Sequence, residues 1–372
     1  MAQADATSDG EDYSIRAGGA DDCEAFRSLY EAVWGRSKSA AWFDWRFADN
    51  PFTDRVELVV AERAGRVVGA EPLLALPLAT PAGTVAARQP VDWIVHPEHR
   101  RRGLFTRMTE RLLARTANRA ALLFNFPTDA LRPGLHRFDW TEVGAVPTRY
   151  RVQHPSGLAA WRRPGDRGGT SLLARAATPP VRAGLAVADR LTSSPPDVDV
   201  ERVAGTATRA IRTVYSETRP DGVHVPRTEA YLDWRFANPH WDVATYVARR
   251  DDRPAATLAV GRETVDGTAK ALLLDVQPMT TIPSRAPAFA AALDAALADL
   301  ADVDVVSAAA RPFPGVLGRR GFLRDDRFPL SRCATTTTHV VRPLPDPEAG
   351  RVGADVFDAD GWTLALADRD VE

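Results

Sequence analysis

The chain has 372 residues, of which 45% are hydrophobic and 26% are charged, and its formal net charge is −2. These values are ordinary for a globular protein and exclude a disordered or collagen-like chain. The length exceeds the roughly 100–200 residues of a typical domain and therefore predicts two domains. The basic residues are almost all arginines dispersed among acidic residues, which argues against nucleic acid as a partner.

The start of the chain and its cysteines predict the compartment. Residues 1–12 are acidic, without the apolar segment of a signal peptide, and we expect them to be disordered. No stretch reaches the roughly 18 apolar residues of a membrane span. Cys23 and Cys333 make no disulfide framework, so two free thiols are expected. We therefore expect a cytoplasmic protein that does not bind membranes.

An internal repeat organises the chain. The segment AAWFDWRFADNPF at 40–52 recurs as EAYLDWRFANPHW at 229–241. After each copy the pattern predicts a strand hairpin, a third strand, an amphipathic helix and a short apolar strand. In the first half these elements are expected at 56–63, 66–78, 87–95, 104–117 and 120–126, and in the second at 243–250, 253–263, 269–277, 286–300 and 303–309.

The repeated AspTrpArgPhe segment is expected to fix a helix against the sheet. We expect Arg46 or Arg235 to pair with a carboxylate and Trp45 or Trp234 to lie in the core.

The repeat and the composition shifts also predict the domain boundaries. Residues 151–197 are rich in Arg, Pro, Gly and Ser around one helical stretch, which is typical of a connector. The predicted domains lie on either side of it, at 13–150 and 198–345. The remaining residues, 346–372, read as a tail whose segment 361–368 is predicted to form a last strand.

A loop in the first half has the composition of an anion site. The strand VDWIV ends at His96, and the chain passes through three arginines to Gly103 before a long amphipathic helix. Glycine lets the backbone approach an anion closely, and the helix N-terminus adds unpaired NH donors and partial positive charge. Arg101 and Arg102 add charge-assisted contacts to phosphates. The sequence therefore predicts a phosphate-binding loop here.

This strand, loop and helix resemble the GNAT acetyltransferases. In that family an Arg or Gln is followed after two residues by Gly, and after one more by Gly or Ala, and here Arg100, Gly103 and Phe105 take those places. Phe105 departs from the family pattern. The resemblance covers most of residues 13–150 and, more weakly, 198–342. It implies an α/β (α+β) fold of two tandem GNAT-like domains, each a mixed, mostly antiparallel sheet flanked by helices.

The resemblance also implies a cofactor site for acetyl-CoA. The end of the strand would pair its backbone with the pantetheine arm, and the loop and helix start would contact the pyrophosphate. An asparagine would either contact the pantetheine arm or satisfy the end of a strand. These residues are Trp93, Ile94, Val95, Arg100, Arg101, Arg102, Gly103, Leu104, Phe105, Thr106 and Asn125.

The corresponding loop in the second half lacks these features. After LLLDVQP it runs MTTIPSRAP, with no glycine and with Pro283 and Pro287 where NH donors would be needed. We expect this copy to bind no CoA and to shape an acceptor cleft.

Acyl transfer to an amine needs a proton acceptor for the amine and a proton donor for the thiolate. The tyrosine of the family pattern is replaced here by Leu135. Candidates are therefore His136 beside it, Tyr150, and the strand carboxylates Asp92 and Glu71. Each has a structural alternative: a surface histidine, a core or interface tyrosine, and carboxylates that face solvent.

His96, Glu98 and His99 contain metal-ligating side chains. They lie in a loop without cysteines or another close ligand, so we predict no metal.

The sequence thus predicts an N-acetyltransferase that moves an acetyl group to a small-molecule or peptide amine by direct attack, without a covalent enzyme intermediate. Two alternatives remain open. One is a noncatalytic scaffold or sensor that responds to CoA, and the other is a tRNA-dependent aminoacyl transferase. The acceptor and the oligomeric state are not readable from the sequence.

Overall fold

The computed structural model describes residues 13–155, 178–181, 183–185, 197–332, 334–345 and 352–370. These residues form two compact units. The first holds the described residues of 1–76, 86–123 and 344–349, and the second holds the others. No helix in the described part of the chain is long and apolar enough to cross a membrane. The expectations for residues 1–12, for Cys333 and for most of the connector lie outside the described residues.

The first unit is built on a mixed sheet. Its strands, some of which continue into the second unit, are β1 (Tyr13–Gly18), β2 (Glu57–Arg63), β3 (Arg66–Thr80), β4 (Gly83–Pro90), β5 (Ile94–Val95) and β6 (Leu122–Asn125). Its helices are α1 (Cys23–Trp34), α2 (Ala40–Phe43) and α3 (Leu104–Thr116). The strand order is β1-β2-β3-β4-β6, with β5 paired to β3. Antiparallel pairs join β1 to β2 and β2 to β3, whereas β4 and β6 run parallel.

Tight turns set the register of the hairpins. Ala64 and Gly65 between β2 and β3 have φ of 48° and 74°, and Asp251 and Asp252 in the second half have φ of 50° and 60°. Two consecutive positive φ values define the turn whose twist matches that of a strand pair. The hairpins predicted from the alternating pattern are therefore present in both halves.

Helix α3 packs by one apolar stripe. Leu104, Met108 and Leu112 recur at every fourth position, are buried, and contact Val59 and Leu73 of the sheet in one core cluster. Residues spaced by four lie on one helix face, so the sequence pattern alone directs this face to the sheet. This packing holds the start of α3 beside the end of β5.

The second unit contains a seven-stranded sheet. The remaining strands are β7 (Thr141–Val146), β8 (Thr148–Val152), β9 (Asp199–Ala204), β10 (Asp242–Arg250), β11 (Arg253–Val265), β12 (Thr268–Gln277), β13 (Val305–Ala309), β14 (Leu323–Arg324) and β15 (Thr337–Pro343). The helices are α4 (Arg132–His136), α5 (Thr208–Glu217), α6 (Glu229–Arg235), α7 (Ala286–Asp299) and α8 (Pro314–Arg319). The sheet order is β14-β8-β13-β12-β11-β10-β9, and β15 pairs with β7. Both sheets are mostly antiparallel and flanked by helices, as expected.

Strand β8 pairs with β13 and β14, so Tyr150 belongs to the second sheet. One predicted element differs in the structure. Residues 361–368 form no strand but include the end of one 3₁₀ turn and all of another, Leu366–Asp368. Here the Asp368 carboxylate meets the buried Arg227 guanidinium, with Nη1 to Oδ1 at 2.9 Å. A buried ion pair and an isolated β-bridge between Trp362 and Val223 therefore hold this segment.

The two copies of the repeated motif are buried as expected. Trp45 is 4% exposed and Trp234 is 6% exposed. The Arg46 side chain is fully buried and pairs with the Asp92 carboxylate, with Nε to Oδ2 at 3.0 Å. Arg235 donates to the carbonyl oxygens of Ala367 and Arg369 at 2.7 and 3.1 Å. The motif therefore anchors different segments in the two units.

Candidate functional site

A break between β4 and β5 marks the site. We expected one strand over 87–95, but Val91, Asp92 and Trp93 leave the strand conformation, and Asp92 has a φ of 47°. Backbone bonds from Val91 N to Pro72 O (3.3 Å) and from His96 N to Val68 O (2.9 Å) keep the segment on β3. Positive φ is tolerated by Asp more readily than by most residues. The expectation of a continuous strand is therefore wrong at this point.

The strand neighbours change at this break. The pairs of β4 with β6 include Ala87↔Leu122 and Arg88↔Leu123, whereas β5 is registered on β3 through Gly69↔Val95. The chain thus leaves its parallel neighbour and continues along its antiparallel one. Within the first unit, this turns β5 into the strand that leads directly to the loop.

The loop between β5 and α3 folds as a sequence of tight turns. A 3₁₀ turn, Pro97–His99, begins at His96, and Arg100 returns to an extended conformation. Arg101 and Gly103 then have φ of 60° and 73°, and Gly103 is the N-cap of α3. Left-handed residues turn successive NH groups toward one side and form an anion-binding concavity. Gly103 adopts this conformation without strain, as the sequence predicted.

The charge of the loop favours an anion. Arg100, Arg101 and Arg102 are exposed, and Arg100 Nε donates to the carbonyl oxygen of Val95 at 3.0 Å. The first turn of α3, which includes Thr106, adds NH groups that have no carbonyl partner earlier in the helix, and the bond from Arg107 N to Gly103 O closes that turn. The exposed loop arginines and the NH groups at the start of α3 are therefore adjacent along the chain, and both favour an anion.

Two aromatic rings border this surface. The Trp93 and Phe105 rings meet edge to face with centroids 5.7 Å apart, and Trp93 Nε1 donates to the Pro72 carbonyl at 3.3 Å. Ile94 and Leu104, which adjoin these two residues in sequence, are buried. Phe105, where the family has Gly or Ala, thus supplies apolar surface beside the loop and packs against Trp93.

A tyrosine that the sequence did not single out supports the loop. Tyr13 Oη lies 2.8 Å from His99 Nδ1, and Arg107 donates to the Tyr13 carbonyl at 2.8 Å. Partial burial, His96, Arg63 and Arg102 lower the pKa of His99 below its usual range. These surroundings therefore favour the neutral form of His99. Only the fold could reveal this contact, because Tyr13 lies far from the loop in sequence.

Glu71 does not face solvent or a cleft. Its side chain is fully buried against α3, where Thr109 Oγ1 donates to the carboxyl at 3.1 Å, beside a cavity of about 20 Å³. Burial raises the pKa of Glu71 well above its usual range. A fully buried carboxyl does not reach a substrate amine, and its burial favours the protonated form. The geometry therefore argues against Glu71 as the catalytic base.

We expect Glu71→Gln to change the pH dependence of stability. A raised pKa means that the folded state holds the Glu71 proton more strongly than the unfolded state does. The free energy of unfolding therefore falls as pH rises above about 4.3, the pKa in the unfolded chain. The slope is about 1.4 kcal/mol per pH unit until the folded pKa is passed. Gln keeps an acceptor for Thr109 and does not ionise. Urea unfolding from about pH 5 to pH 8 should show that the free energy of unfolding of the variant rises relative to that of the wild type. Glu110→Gln, on the exposed face of α3, is the control, and parallel profiles for all three proteins would contradict the idea.

Asp92 is held by an ion pair. Its side chain is 13% exposed and its carboxylate meets the Arg46 guanidinium at 3.0 Å. The Arg46 guanidinium also lies over the Trp42 ring, 5.4 Å from its centroid. Asp92 thus balances a buried cation at the strand break.

The other three predicted residues lie in the second unit. His136 is an exposed residue at the end of the short helix α4, with Nε2 3.5 Å from a Glu142 carboxylate oxygen. Burial raises the pKa of Tyr150. Asn125 is buried and accepts from the Phe126 NH at 2.6 Å, which caps the end of β6. The catalytic and cofactor roles of these three residues stay predictions. Their surroundings agree with a surface histidine, a buried tyrosine and an asparagine at a strand end.

Three potential metal ligands come together in the loop. One ligand atom each of His96, Glu98 and His99 lies within 4.8 Å of the others. The sequence predicted no metal because these residues lie in a loop without cysteines or another close ligand, and the 3₁₀ turn Pro97–His99 nevertheless brings the three side chains together.

Comparison with known proteins supports this geometry. Residues 14–143 match the family described as an acetyltransferase (GNAT) domain. The solved structure of a GCN5-related N-acetyltransferase from Anabaena variabilis aligns with a TM-score of 0.58 and 10% identity, over 89% of this chain and 73% of that one. That from Kribbella flavida aligns with 0.54 and 14%, over 90% and 71%. A conserved protein of unknown function from Enterococcus faecalis aligns with 0.60 and 10%, over 90% and 73%. At these low identities, the structural alignments show a shared fold and nothing more. No curated protein matches the chain.

Proposed function

Because residues 14–143 carry a GNAT acetyltransferase domain, we propose that the protein moves an acyl group, in the simplest case acetyl, from acetyl-CoA to an amine. The observation that carries the proposal is the loop at the start of α3, where left-handed Arg101 and Gly103 and exposed arginines precede a helix N-terminus. The acceptor we propose is a small-molecule or peptide amine, and the cytoplasm is the expected compartment.

The residues present fit the cofactor. Arg100, Arg101, Arg102 and the NH groups from Gly103 onward would hold the pyrophosphate, since they combine charge with backbone donors. The backbone of Trp93, Ile94 and Val95 at the β4–β5 break would take the amide-rich pantetheine arm. Trp93 and Phe105 provide apolar surface beside both. The bound acetyl-CoA supplies the activated thioester carbonyl.

The reaction we propose is a direct attack. The amine nitrogen forms a bond to the thioester carbon, the carbon–sulfur bond breaks, the thiolate takes up a proton, and the amine loses one. Asp92 is engaged with Arg46, and Glu71 is buried with a raised pKa. We therefore propose that the amine is bound in its neutral form and that its proton leaves through water. The chain's part is to bind and orient the reactants.

Calorimetric titration with acetyl-CoA tests the cofactor site. We expect saturable binding by the wild type and at least a tenfold loss in Arg102→Glu, because a charge-assisted contact to phosphate contributes roughly 1.5–3 kcal/mol and reversal adds repulsion. Arg111→Glu makes the same charge change on the exposed face of α3, outside the loop, and should bind as the wild type does. Wild-type protein that is folded but does not bind acetyl-CoA would refute the proposal.

One observation supports the noncatalytic alternative. Asp92 is paired with Arg46 and Glu71 is buried, which agrees with a protein that binds CoA only to respond to it. Release of free thiol from acetyl-CoA in the presence of a panel of amines distinguishes the two functions. The aminoacyl-transferase alternative is disfavoured because the phosphate loop is retained, and tight CoA binding would weaken it further.

A further inference from the structure

We propose that His96, Glu98 and His99 form a binding site for a borderline divalent transition-metal ion such as Zn²⁺. Two imidazoles and one carboxylate suit such an ion chemically, because imidazole nitrogen and carboxylate oxygen are both common Zn²⁺ ligands. The inference does not depend on the proposed function, since it concerns the three side chains before the phosphate loop.

The backbone gathers these ligands. The 3₁₀ turn Pro97–His99 starts at His96 and brings its first and last side chains to one side, with the two imidazole centroids 5.5 Å apart. A ligand atom from each of the three side chains lies within 4.8 Å of the others. Ligand atoms about 2 Å from a central ion lie roughly 3–4 Å from each other, so only a small rotamer adjustment is required.

The His99 imidazole is already oriented by one of its nitrogens. His99 Nδ1 meets the Tyr13 hydroxyl at 2.8 Å, and His96 Nδ1 accepts from the Glu98 NH at 3.4 Å. Metal-binding histidines typically use one ring nitrogen for the ion and the other for such a supporting contact. In His99, Nδ1–H can donate to the Tyr13 hydroxyl, so Nε2 is the nitrogen we assign to the ion, and Tyr13 is a positioning residue for His99. His96 gives up its 3.4 Å contact with the Glu98 NH when it binds the ion, because a ring nitrogen that accepts an NH leaves the other nitrogen protonated.

The surrounding charge sets the role of Glu98. The three arginines that follow in the loop oppose a bound cation, whereas Glu98 provides the one negative charge in the cluster. All three ligands are at least partly accessible, so an ion could enter from solvent and keep water in its open position. The site is thus expected to depend on all three side chains.

Zn²⁺ competition titration against a chromophoric chelator tests the proposal. It uses the full-length chain without a histidine tag and without CoA, and Co²⁺ absorption reports the ligand geometry. We expect one equivalent of Zn²⁺ to bind, with affinity reduced about tenfold or more in His96→Ala, His99→Ala and Glu98→Gln. Tyr13→Phe, which keeps the ring but loses the hydroxyl, should weaken binding about tenfold by the same orienting effect.

His240→Ala is the matched control, because His240 lies in the second unit and outside this cluster. The Zn²⁺ affinity of this variant should equal that of the wild type. A wild type that binds no Zn²⁺, or a His99→Ala variant that binds as tightly as the wild type, would overturn the proposal. Because no CoA is present, either result is separate from the test of the acetyl-CoA site.

Discussion

Arg227→Met is expected to destabilise the protein by about 3–5 kcal/mol. The Arg227 side chain is fully buried and contacts two buried carboxylates, Asp275 at 2.7 Å and Asp368 at 2.9 Å. The Tyr231 hydroxyl also donates to Asp368 at 2.8 Å. Methionine fills a similar volume but leaves both carboxylates buried without their cation. Because Asp368 lies near the end of the described chain, the loss should also release residues 366–369 from the unit.

Urea unfolding and limited proteolysis measure this effect. Arg212→Met removes an exposed ion pair with Glu229 in the same unit, and we expect a change of about 1 kcal/mol or less, since exposed pairs contribute little. Early cleavage near the C-terminus should accompany the loss of stability in Arg227→Met alone. Equal stability of the two variants would show that the buried cluster does not hold this segment.

The sequence predicted the elements that local patterns determine. The hairpins follow from alternating apolar residues and turn residues, and α3 follows from its stripe of Leu104, Met108 and Leu112. Their bounds differ from the expected ones by only a few residues. The left-handed Gly103 at the start of α3 was also predictable, because glycine before an amphipathic helix has a local conformational reason.

The elements that were missed depend on distant partners. Residues 361–368 have the apolar composition of a strand, but the Asp368 carboxylate pairs with the Arg227 guanidinium. No local sequence pattern indicates this pair. The break at Asp92 is likewise matched to a cation, Arg46, from another element. The contact of Tyr13 with His99 and the burial of Glu71 beneath Thr109 belong to the same class. Sequence patterns report which face is apolar, but they do not report which polar groups meet.

Asp92→Asn should show whether the carboxylate at the strand break is structural or chemical. Asn also tolerates a positive φ, so the backbone at 47° should persist. The buried Arg46 would, however, lose its carboxylate, and breaking such a pair costs about 3–5 kcal/mol. Asp54→Asn, in an exposed pair with Arg55, is the matched control and should leave stability unchanged. A fully stable Asp92→Asn variant would mean that the pair is not needed.

The double variant Arg46→Met with Asp92→Asn separates the two roles. Removing both charges leaves no uncompensated ion, so we expect the double variant to be more stable than Asp92→Asn alone, and the difference measures the coupling of the pair. If Asp92 only balances Arg46, thiol release from acetyl-CoA should recover together with stability. If Asp92 takes the acceptor's proton, the double variant should be stable yet slower by roughly 10²–10⁴, the usual contribution of a positioned base. Recovery of turnover with stability would leave Arg46 and Asp92 as the support of the strand break and water as the proton acceptor.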